Sequence, residues 1–494
     1  MNTSDQPMNI GRSFARVAGE NPDLQAIVAA DIALGYAKLW RIVRGFATRM
    51  QEIGINRYST VAVHSTDMIA CVASLLGASL LGACYISFEK SLAGESAVRP
   101  THFLRSPEIS PHPGTDYHLM DATWPQAAAP DANSDGSEFA GYASADDPWL
   151  YVQTSGTTGQ PKYLSISQQD VHRRSMAVRE DFRPLHTRLC SLFPCFTRPF
   201  FARANAALLN ACTIVDSIDV PFMQVQGVNL ICGAPRTTME WLAGRRISPK
   251  LPVLQVSGAK LSDADAAFLL QSFEAVEDVY GASETSKSFV NVKALVEGRL
   301  TTRGKPLDSD VQIIGPEGSP VPGPGLQGFV RIRNSYMASA YVGAPEASER
   351  AFRDGWFYPG DLAQWGPAGE LMVSGRADEI INLGGFKVDA ASIDETLRSV
   401  AGISAAAAFR DPTEPMPPRL MAMVTVTNSA DASKCVAAAH QACSKRFGSN
   451  IAPHVILVVP AIPMTGDGAP RRAECQRLAL TFIANRQDKS VLLT

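Results

Sequence analysis

The chain has 494 residues, of which 46% are hydrophobic and 19% charged. This composition is typical of a globular protein, and the length exceeds what one ordinary core can hold, so we expect two or three domains. A net charge of −3 gives no electrostatic reason to expect nucleic acid or an anionic membrane as a partner. The nine cysteines show no zinc-like spacing, which predicts reduced thiols in a cytoplasmic protein.

The first eighty residues alternate between helical and strand patterns. Apolar residues recur at helical spacing in Phe14–Val17 and Leu39–Met50, with a strand pair between them and a further strand at Thr60–His64. Met68–Phe88 runs about twenty residues without a charge, which is long enough to cross a membrane. Because Gly82 is placed like a helix C-cap that leads into a strand, we predict a buried helix and strand there and no membrane span.

A loop rich in hydroxyl groups and glycine lies between two predicted strands, Trp149–Val152 and Leu164–Ser167. Its glycines allow backbone N–H groups close to an anion, and its hydroxyls and final lysine add further donors. It lacks the Walker spacing, and a solvated polar linker is the alternative interpretation. The groups that we predict at a phosphate are Thr154, Ser155, Gly156, Thr157, Thr158, Gly159 and Lys162.

The stretch Leu192–Phe201 is rich in aromatic residues that are interrupted by prolines. Phe196 and Phe200 could line a pocket for a flat or apolar acid, with Arg198 available to a polar substituent or a phosphate. An aromatic core turn with a surface arginine is the alternative. No aspartate stands here to pair with an ammonium group, which disfavours a free α-amino acid as substrate.

Two further strands, in Leu251–Lys260 and Asp278–Thr285, end in small residues, where open α/β sheets bind ligands. There, Tyr280 could stack on an adenine, Ser283 could meet an α-phosphate and Glu284 could hold magnesium. A glycine turn with a capping glutamate is the alternative. The other predicted site residues on these strand ends are Ser257, Gly258, Ala259, Lys260, Gly281 and Ala282.

A third candidate site segment is Gly355–Leu362, where a Pro-Gly turn precedes Asp361. A carboxylate in such a turn can accept hydrogen bonds from both hydroxyls of a ribose. From Ala390 onward, the pattern of helix, two strands, helix, strand and final helix predicts a compact α+β unit.

Together these motifs, in this order, closely resemble those of the adenylate-forming superfamily of acyl-CoA synthetases, peptide-synthetase adenylation domains and luciferases. The resemblance implies an α/β fold, with a large layered N-terminal AMP-binding domain at residues 1–377 and a small mobile α+β domain at residues 378–494. It also implies that Arg376 contacts ribose and phosphate and that Asp378 is the hinge. Thr197, Ser283 and Pro359 depart from the usual residues of the family motifs.

The resemblance further implies that ATP and a carboxylic acid form an acyl adenylate with release of pyrophosphate, assisted by Mg²⁺. The acyl group would then pass to coenzyme A, to the pantetheine of a carrier protein or to an amine. The aromatic stretch favours an aromatic acid. Activation of another oxyanion such as nitrite, and a nucleotide-binding module without activity, are the alternatives.

One departure from the family pattern concerns catalysis directly. In Ile462–Arg472 the motif is preserved except that Ala469 occupies the position of the family's lysine, which bridges the substrate carboxylate and the α-phosphate. Alanine cannot stabilise the charge that develops there, so we expect impaired catalysis. An engineered substitution, a natural member that uses Arg471 or Lys387 instead, and a catalytically dead module would each explain it.

Overall fold

The computed structural model describes residues 8–87, 97–126, 134–139, 141, 146–154, 162–377, 380–383, 386–428, 431–464 and 470–484. The predictions for Ser155 to Gly159, for Asp378 and for Ala469 lie outside these residues. They therefore stay predictions.

In the described residues the helices are α1 Ile10–Glu20, α2 Tyr36–Glu52, α3 Met68–Leu81, α4 Gln168–Ala177, α5 Arg198–Leu209, α6 Val220–Val225, α7 Pro235–Leu242, α8 Asp263–Leu269, α9 Pro345–Ala351, α10 Ala390–Arg398, α11 Ala432–Phe447 and α12 Arg472–Ala484. The strands are β1 Gln25–Val28, β2 Ala33–Gly35, β3 Thr60–His64, β4 Cys84–Ser87, β5 His102–Arg105, β6 His118–Leu119, β7 Pro148–Thr154, β8 Lys162–Ser167, β9 Arg188–Ser191, β10 Thr213–Val215, β11 Leu230–Gly233, β12 Leu251–Ser257, β13 Phe273–Ala282, β14 Ser286–Val296, β15 Arg299–Pro306, β16 Asp310–Ile314, β17 Gly328–Arg333, β18 Tyr341–Val342, β19 Phe352–Arg353, β20 Trp356–Phe357, β21 Asp361–Trp365, β22 Leu371–Arg376, β23 Ile380–Leu383, β24 Phe386–Asp389, β25 Ile403–Arg410, β26 Leu420–Val426 and β27 Val455–Val458.

Two large mixed sheets form the frame of the N-terminal part. One has the strand order β15-β14-β13-β12-β11-β9-β10-β1-β2, and the other has the order β18-β8-β7-β4-β3-β5-β6. The main hydrophobic core joins apolar residues of α1, α2, α3 and α5 to residues from both sheets. Helices packed between two sheets make this the layered α/β domain that the sequence predicts.

Three smaller groups of strands are also described, of which β23 and β24 form a two-stranded antiparallel pair. Strands β19, β20, β17, β21 and β22, with β16 beside β17, form a third sheet with a core of its own. In the C-terminal part, β25, β26 and β27 form a three-stranded sheet that packs on α10 and α11 on one face and on α12 on the other. The predicted α+β unit is therefore confirmed.

Helix α3 confirms the prediction for the uncharged run. The side chain of Asp67 accepts a hydrogen bond from the Ala70 N–H at its start, and Gly82 closes it in the left-handed region at φ 68° before β4 begins. Most of its residues are buried in the main core. Among the described residues, no helix combines the length and the apolar character needed to cross a membrane.

The charged pattern of residues Gln168 to Phe182 predicts a helix over this whole stretch. Helix α4 is shorter than this prediction and ends at Ala177. Beyond it, Phe182 is buried in the main core, and Asp181 lies 2.5 Å from the Nζ of Lys287 on β14. These two tertiary contacts are made outside the helix, so packing overrides the local helical pattern after Ala177.

All nine cysteines of the chain are described, and all are free.

Candidate active site

The turn between β13 and β14 carries two predicted site residues, Ser283 and Glu284. The two strands pair antiparallel with a shift of register between Tyr280 and Gly281. A Cβ atom on Gly281 would stand 2.1 Å from the Ser286 carbonyl oxygen, so only glycine lets the strands close to this distance. The requirement for glycine thus fixes where the following serine and glutamate lie.

Arg174 of α4 holds this turn from behind. Its Nη1 donates to the Ser283 carbonyl at 3.2 Å, and its Nη2 donates to the Glu284 carbonyl at 3.0 Å. Its Nε and Nη2 also donate to the Tyr336 carbonyl, at 3.0 and 2.9 Å. Burial lowers the pKa of Arg174 to about 10, although nearby Asp170 and Glu284 oppose the shift. Sequence reasoning missed this residue, whose one signal is a charge on the core-facing side of a helix.

Glu284 is buried and receives a hydrogen bond from a tyrosine that the sequence did not single out. The Tyr341 hydroxyl on β18 donates to Glu284 Oε1 at 2.7 Å, and burial, followed by the adjacent carboxylate, raises the pKa of that hydroxyl. Lys162 Nζ lies 5.0 Å from the centre of the Tyr341 ring, within the range of a cation–π contact. The end of the predicted phosphate loop and the predicted metal ligand therefore meet on one tyrosine.

The donors around Glu284 fit magnesium but not a metal held by protein ligands alone. In the described parts of the chain, no group of three or more His, Cys, Asp or Glu residues could hold a metal ion. Magnesium characteristically binds to one or two carboxylates together with substrate phosphates. Glu284, a single buried carboxylate, suits that mode, in which substrate phosphates supply further ligands.

A second corner of the site contains the predicted ribose residues. The Tyr280 hydroxyl donates to Asp361 Oδ2 at 2.6 Å, and Arg376 Nη1 lies 3.9 Å from Asp361 Oδ1. Asp361 and Arg376 are opposite each other on β21 and β22. Burial and then Asp361 raise the pKa of Tyr280 well above its ordinary value, so the hydroxyl stays protonated. Stacking of its ring on adenine remains a prediction.

Arg198, at the start of α5, faces the same turn from the other side. Its Nη2 donates to the Ser283 carbonyl at 3.0 Å. Burial, followed by the neighbouring Arg174, lowers its pKa to about 9. Phe196 is half-buried, whereas Phe200 has no exposed surface and packs on Phe201 in the main core, as the alternative interpretation of this stretch predicts.

The remaining predicted residues lie around these two corners. Thr154 and Lys162 face each other at the ends of β7 and β8. Gly258, Ala259 and Lys260 are exposed beyond the end of β12, and Gly258 adopts a φ of 90°. Ser257 is the last residue of β12, and Ala282, half-buried, is the last of β13.

Two arginines that follow the Ala469 position have structural partners in the C-terminal part. Arg472 pairs with the buried Asp394 at 2.8 Å and donates to the Ala408 carbonyl at 2.7 Å. Arg471 is exposed, and its Nε donates to the Met464 carbonyl at 3.1 Å. Arg472 thus holds the start of α12 against β25.

Comparison with known proteins places this arrangement in a family. The profile described as "AMP-binding enzyme" matches residues 14–342, which is more than half of the chain. Pseudomonine synthase PmsE of Pseudomonas entomophila (strain L48) is 27% identical over 363 residues, covering 69% of this chain and 59% of the relative. The salicylyl-CoA synthase / salicylate adenylyltransferase of a Streptomyces species is 29% identical over 262 residues, covering 50% of this chain and 46% of the relative.

The chain therefore spans only about half the length of these two curated relatives. Among solved structures, the O-succinylbenzoate coenzyme A synthetase MenE of Bacillus subtilis, in complex with AMP, superposes with a TM-score of 0.80 at 16% identity. That match covers 99% of this chain and 100% of MenE. It shows that the two proteins share a fold with a large N-terminal and a smaller C-terminal domain.

Proposed function

This chain belongs to the AMP-binding enzyme family, and from that premise we propose that it is an ATP-dependent ligase that activates an aromatic carboxylic acid. The acid would attack the α-phosphate of ATP, forming an acyl adenylate and releasing pyrophosphate. The acyl group would then pass to a thiol, of coenzyme A or of a carrier protein, or to an amine. The names of the salicylate and O-succinylbenzoate enzymes support an aromatic acid rather than nitrite.

One observation carries the proposal: two polar corners, built from distant parts of the sequence, border the same turn. Tyr280, Asp361 and Arg376 offer a carboxylate and a cation suited to a ribose, while Lys162 and Glu284 meet at Tyr341 beside Ser283. A nucleotide carries a ribose and phosphates at a fixed separation, so a site with both kinds of partner matches it chemically.

Each residue then has a separate task. Asp361 accepts hydrogen bonds from the ribose hydroxyls. The Ser283 hydroxyl and the loop that ends at Lys162 donate to phosphate oxygens as negative charge shifts onto pyrophosphate. Magnesium, held by Glu284, supplies charge neutralisation of the leaving phosphates when it is bound.

We further propose that residues 1–377 and 378–494 are separate domains, with Asp378 as the hinge on which the smaller one turns. Such a rotation would exchange the groups that serve adenylation for those that admit the acceptor. The two hydrophobic cores of the C-terminal part consist of residues beyond 380, which supports a boundary at this place. A cytoplasmic location is consistent with nine free thiols.

Ala469 leads us to propose that adenylation is slow in this chain. A missing electrostatic donor at a transition state costs about 10²–10³-fold in rate. The test is pyrophosphate release over a panel of aromatic and aliphatic acids, with the chain as it stands and with Ala469→Lys. We expect lysine to raise the rate by roughly 100-fold with the preferred acid. If neither protein releases pyrophosphate with any acid, yet ATP binds tightly, a nucleotide-binding module without ligase activity replaces the proposal.

A further inference from the structure

Besides Arg198, helix α5 carries a second arginine, Arg203. Its Nη2 donates to the Ser257 hydroxyl at the end of β12, at 3.1 Å, and its Nη1 donates to the Pro199 carbonyl at 2.9 Å. The guanidinium carbon lies 4.8 Å from the centre of the Phe193 ring. Arg203 therefore lies between the aromatic stretch and a strand end that the sequence predicts to border the substrate.

The charge of Arg203 is not compensated by the described residues around it. Within the described residues, Arg203 forms no ion pair with a carboxylate, and its buried Nε has no hydrogen-bond partner. Its other neighbour is the buried thiol of Cys232, which is uncharged because burial raises its pKa. A buried donor without a partner is costly, and native proteins seldom retain one without a reason. An anionic ligand group that accepts from Arg203 would remove this cost.

Two lysines of β14, in the sheet that contains Ser257, do have carboxylate partners. Lys287 on β14 lies 2.5 Å from Asp181, and Lys293 lies 2.8 Å from Asp263. Glu277, the acid on the strand next to Ser257, already accepts a hydrogen bond from Gln255 at 2.7 Å and lies 3.9 Å from Lys287. Carboxylates thus neutralise these two lysines, whereas Arg203 has no carboxylate partner among the described residues.

Arg198 makes the local excess of positive charge larger. Its pKa of about 9 is lowered by burial first, and the charges of Arg174 and Arg203 lower it further. Arg174 donates two hydrogen bonds to the backbone of the turn that carries Ser283 and Glu284, and Arg198 donates one. The Nε of Arg203 has no hydrogen-bond partner among the described residues. Two cations near one substrate can serve two anionic groups: one reactive carboxylate and one other.

Resting on the proposed ligase function, we propose that Arg203 selects aromatic acids that carry a second anionic group on the ring. The reactive carboxylate attacks the α-phosphate of ATP and displaces pyrophosphate, while the second group accepts hydrogen bonds from Nε and Nη2 of Arg203 in place of Ser257. The aromatic ring lies between them, beside Phe193. Arg203 takes no part in the bond changes, so it is a specificity-determining residue.

The test compares benzoate with its ortho, meta and para carboxy-substituted forms. We measure kcat/KM by ATP–pyrophosphate exchange in the Ala469→Lys protein, and binding of each acid by calorimetry in the chain as it stands. The preferred dicarboxylate should exceed benzoate by roughly 10- to 100-fold, the range for a hydrogen bond to a charged group. Arg203→Met should abolish that ratio, and Arg203→Glu should shift the preference to an aminomethyl-benzoate, whose substituent is cationic.

Two further variants separate selection from a structural role. Arg203→Lys keeps the charge and should retain most of the preference, even if the contact with Phe193 weakens. Arg246→Met removes an exposed arginine of the same domain and should leave the ratio unchanged. A purely structural arginine would lower activity on benzoate and on the dicarboxylates equally in Arg203→Met, and this result would overturn the inference.

The outcomes also distinguish this inference from the proposed function. Pyrophosphate exchange with several acids but no preference for a second anionic group overturns the role of Arg203 and leaves the ligase intact. No exchange with any acid overturns both.

Discussion

The side chain of Tyr341 contacts both a predicted phosphate-binding residue and the predicted metal ligand. It donates to the buried carboxylate of Glu284 at 2.7 Å, while its ring faces Lys162. Hydrogen bonds to charged groups contribute about 1.5–3 kcal/mol. We infer that this tyrosine fixes the orientation in which Glu284 meets the metal and the phosphates.

The first prediction concerns Tyr341→Phe. Loss of the hydroxyl should let Glu284 rotate and should lower kcat/KM for acid-dependent pyrophosphate release by roughly 10- to 100-fold, with a higher Mg²⁺ requirement. The measurement is initial rate against Mg²⁺ concentration. Tyr336→Phe is the matched control, because the Tyr336 hydroxyl donates to the Asp308 carbonyl at 2.8 Å and not to Glu284. Equal losses in both variants would contradict an orienting role.

The second prediction concerns Asp278, whose pKa burial raises to about 6, while Lys293 partly opposes the shift. Because the folded-state pKa lies above the unfolded value, the folded state binds the proton more tightly. Stability is therefore lost as pH rises from about 4 to 6, by at most about 3 kcal/mol. Asp278→Asn should raise the free energy of unfolding at pH 8 and leave it nearly unchanged at pH 4.

Urea unfolding at the two pH values checks this expectation. Glu274→Gln on the same strand is the control, since that side chain is exposed and should change stability little at either pH. A stabilisation by Asp278→Asn that is equal at pH 4 and pH 8 would contradict the assigned cause.

At the scale of elements, the contact between β13 and β14 decides the position of the turn that carries Ser283 and Glu284. Gly281 faces the Ser286 carbonyl so closely that a Cβ would approach it to 2.1 Å. Arg174 fastens the same turn to the Tyr336 carbonyl from the side of α4. The turn is therefore held by strand pairing on one side and by a helix on the other.

The third prediction is that Gly281→Ala separates these strands. Overpacking of this kind costs about 1–3 kcal/mol, and a backbone oxygen cannot move aside as a side chain can. Ser283 and Glu284 should shift, so ATP affinity should fall together with the thermal midpoint. Gly323→Ala is the control, because no atom lies within 4 Å of the added Cβ there. Unchanged ATP binding in Gly281→Ala would show that the turn tolerates the displacement.

For the whole molecule, the C-terminal part has hydrophobic cores of its own, so we expect it to unfold independently of the rest of the chain. Its main polar anchor is the pair of Arg472 and Asp394, at 2.8 Å. Asp394 is buried, which raises its pKa, and Arg472 opposes that shift. Removal of one partner of a buried ion pair costs about 3–5 kcal/mol, because the other charge stays buried.

The fourth prediction is that Arg472→Met lowers only the thermal transition of the proposed domain 378–494. Calorimetry should show an early transition for this domain and an unchanged one for residues 1–377, and limited proteolysis should release the larger fragment. Arg477→Met, an exposed change on the same helix, should leave both transitions in place. A single transition that moves as a whole would contradict independent domains.

The sequence by itself determined the family, the layered α/β fold and the α+β character of the C-terminal part. Signals such as Gly82 after α3, or glycine before Ser283, act over a few residues, so they can be read along the chain. Helix α4 shows the limit of this reasoning, since Asp181 leaves the predicted helix to reach Lys287, 106 residues away.

Only the tertiary structure decided which buried polar groups meet. Tyr341 pairs with Glu284 across 57 residues, and Arg203 reaches Ser257 across 54. No local sequence pattern predicts the partners of Tyr341 and Arg203, because the packing of sheets and helices, and not spacing along the chain, brings such residues together. Buried charges and hydroxyls need hydrogen-bond partners wherever the fold places them. A role for the arginines of α5 can therefore be inferred only once the groups around them are known.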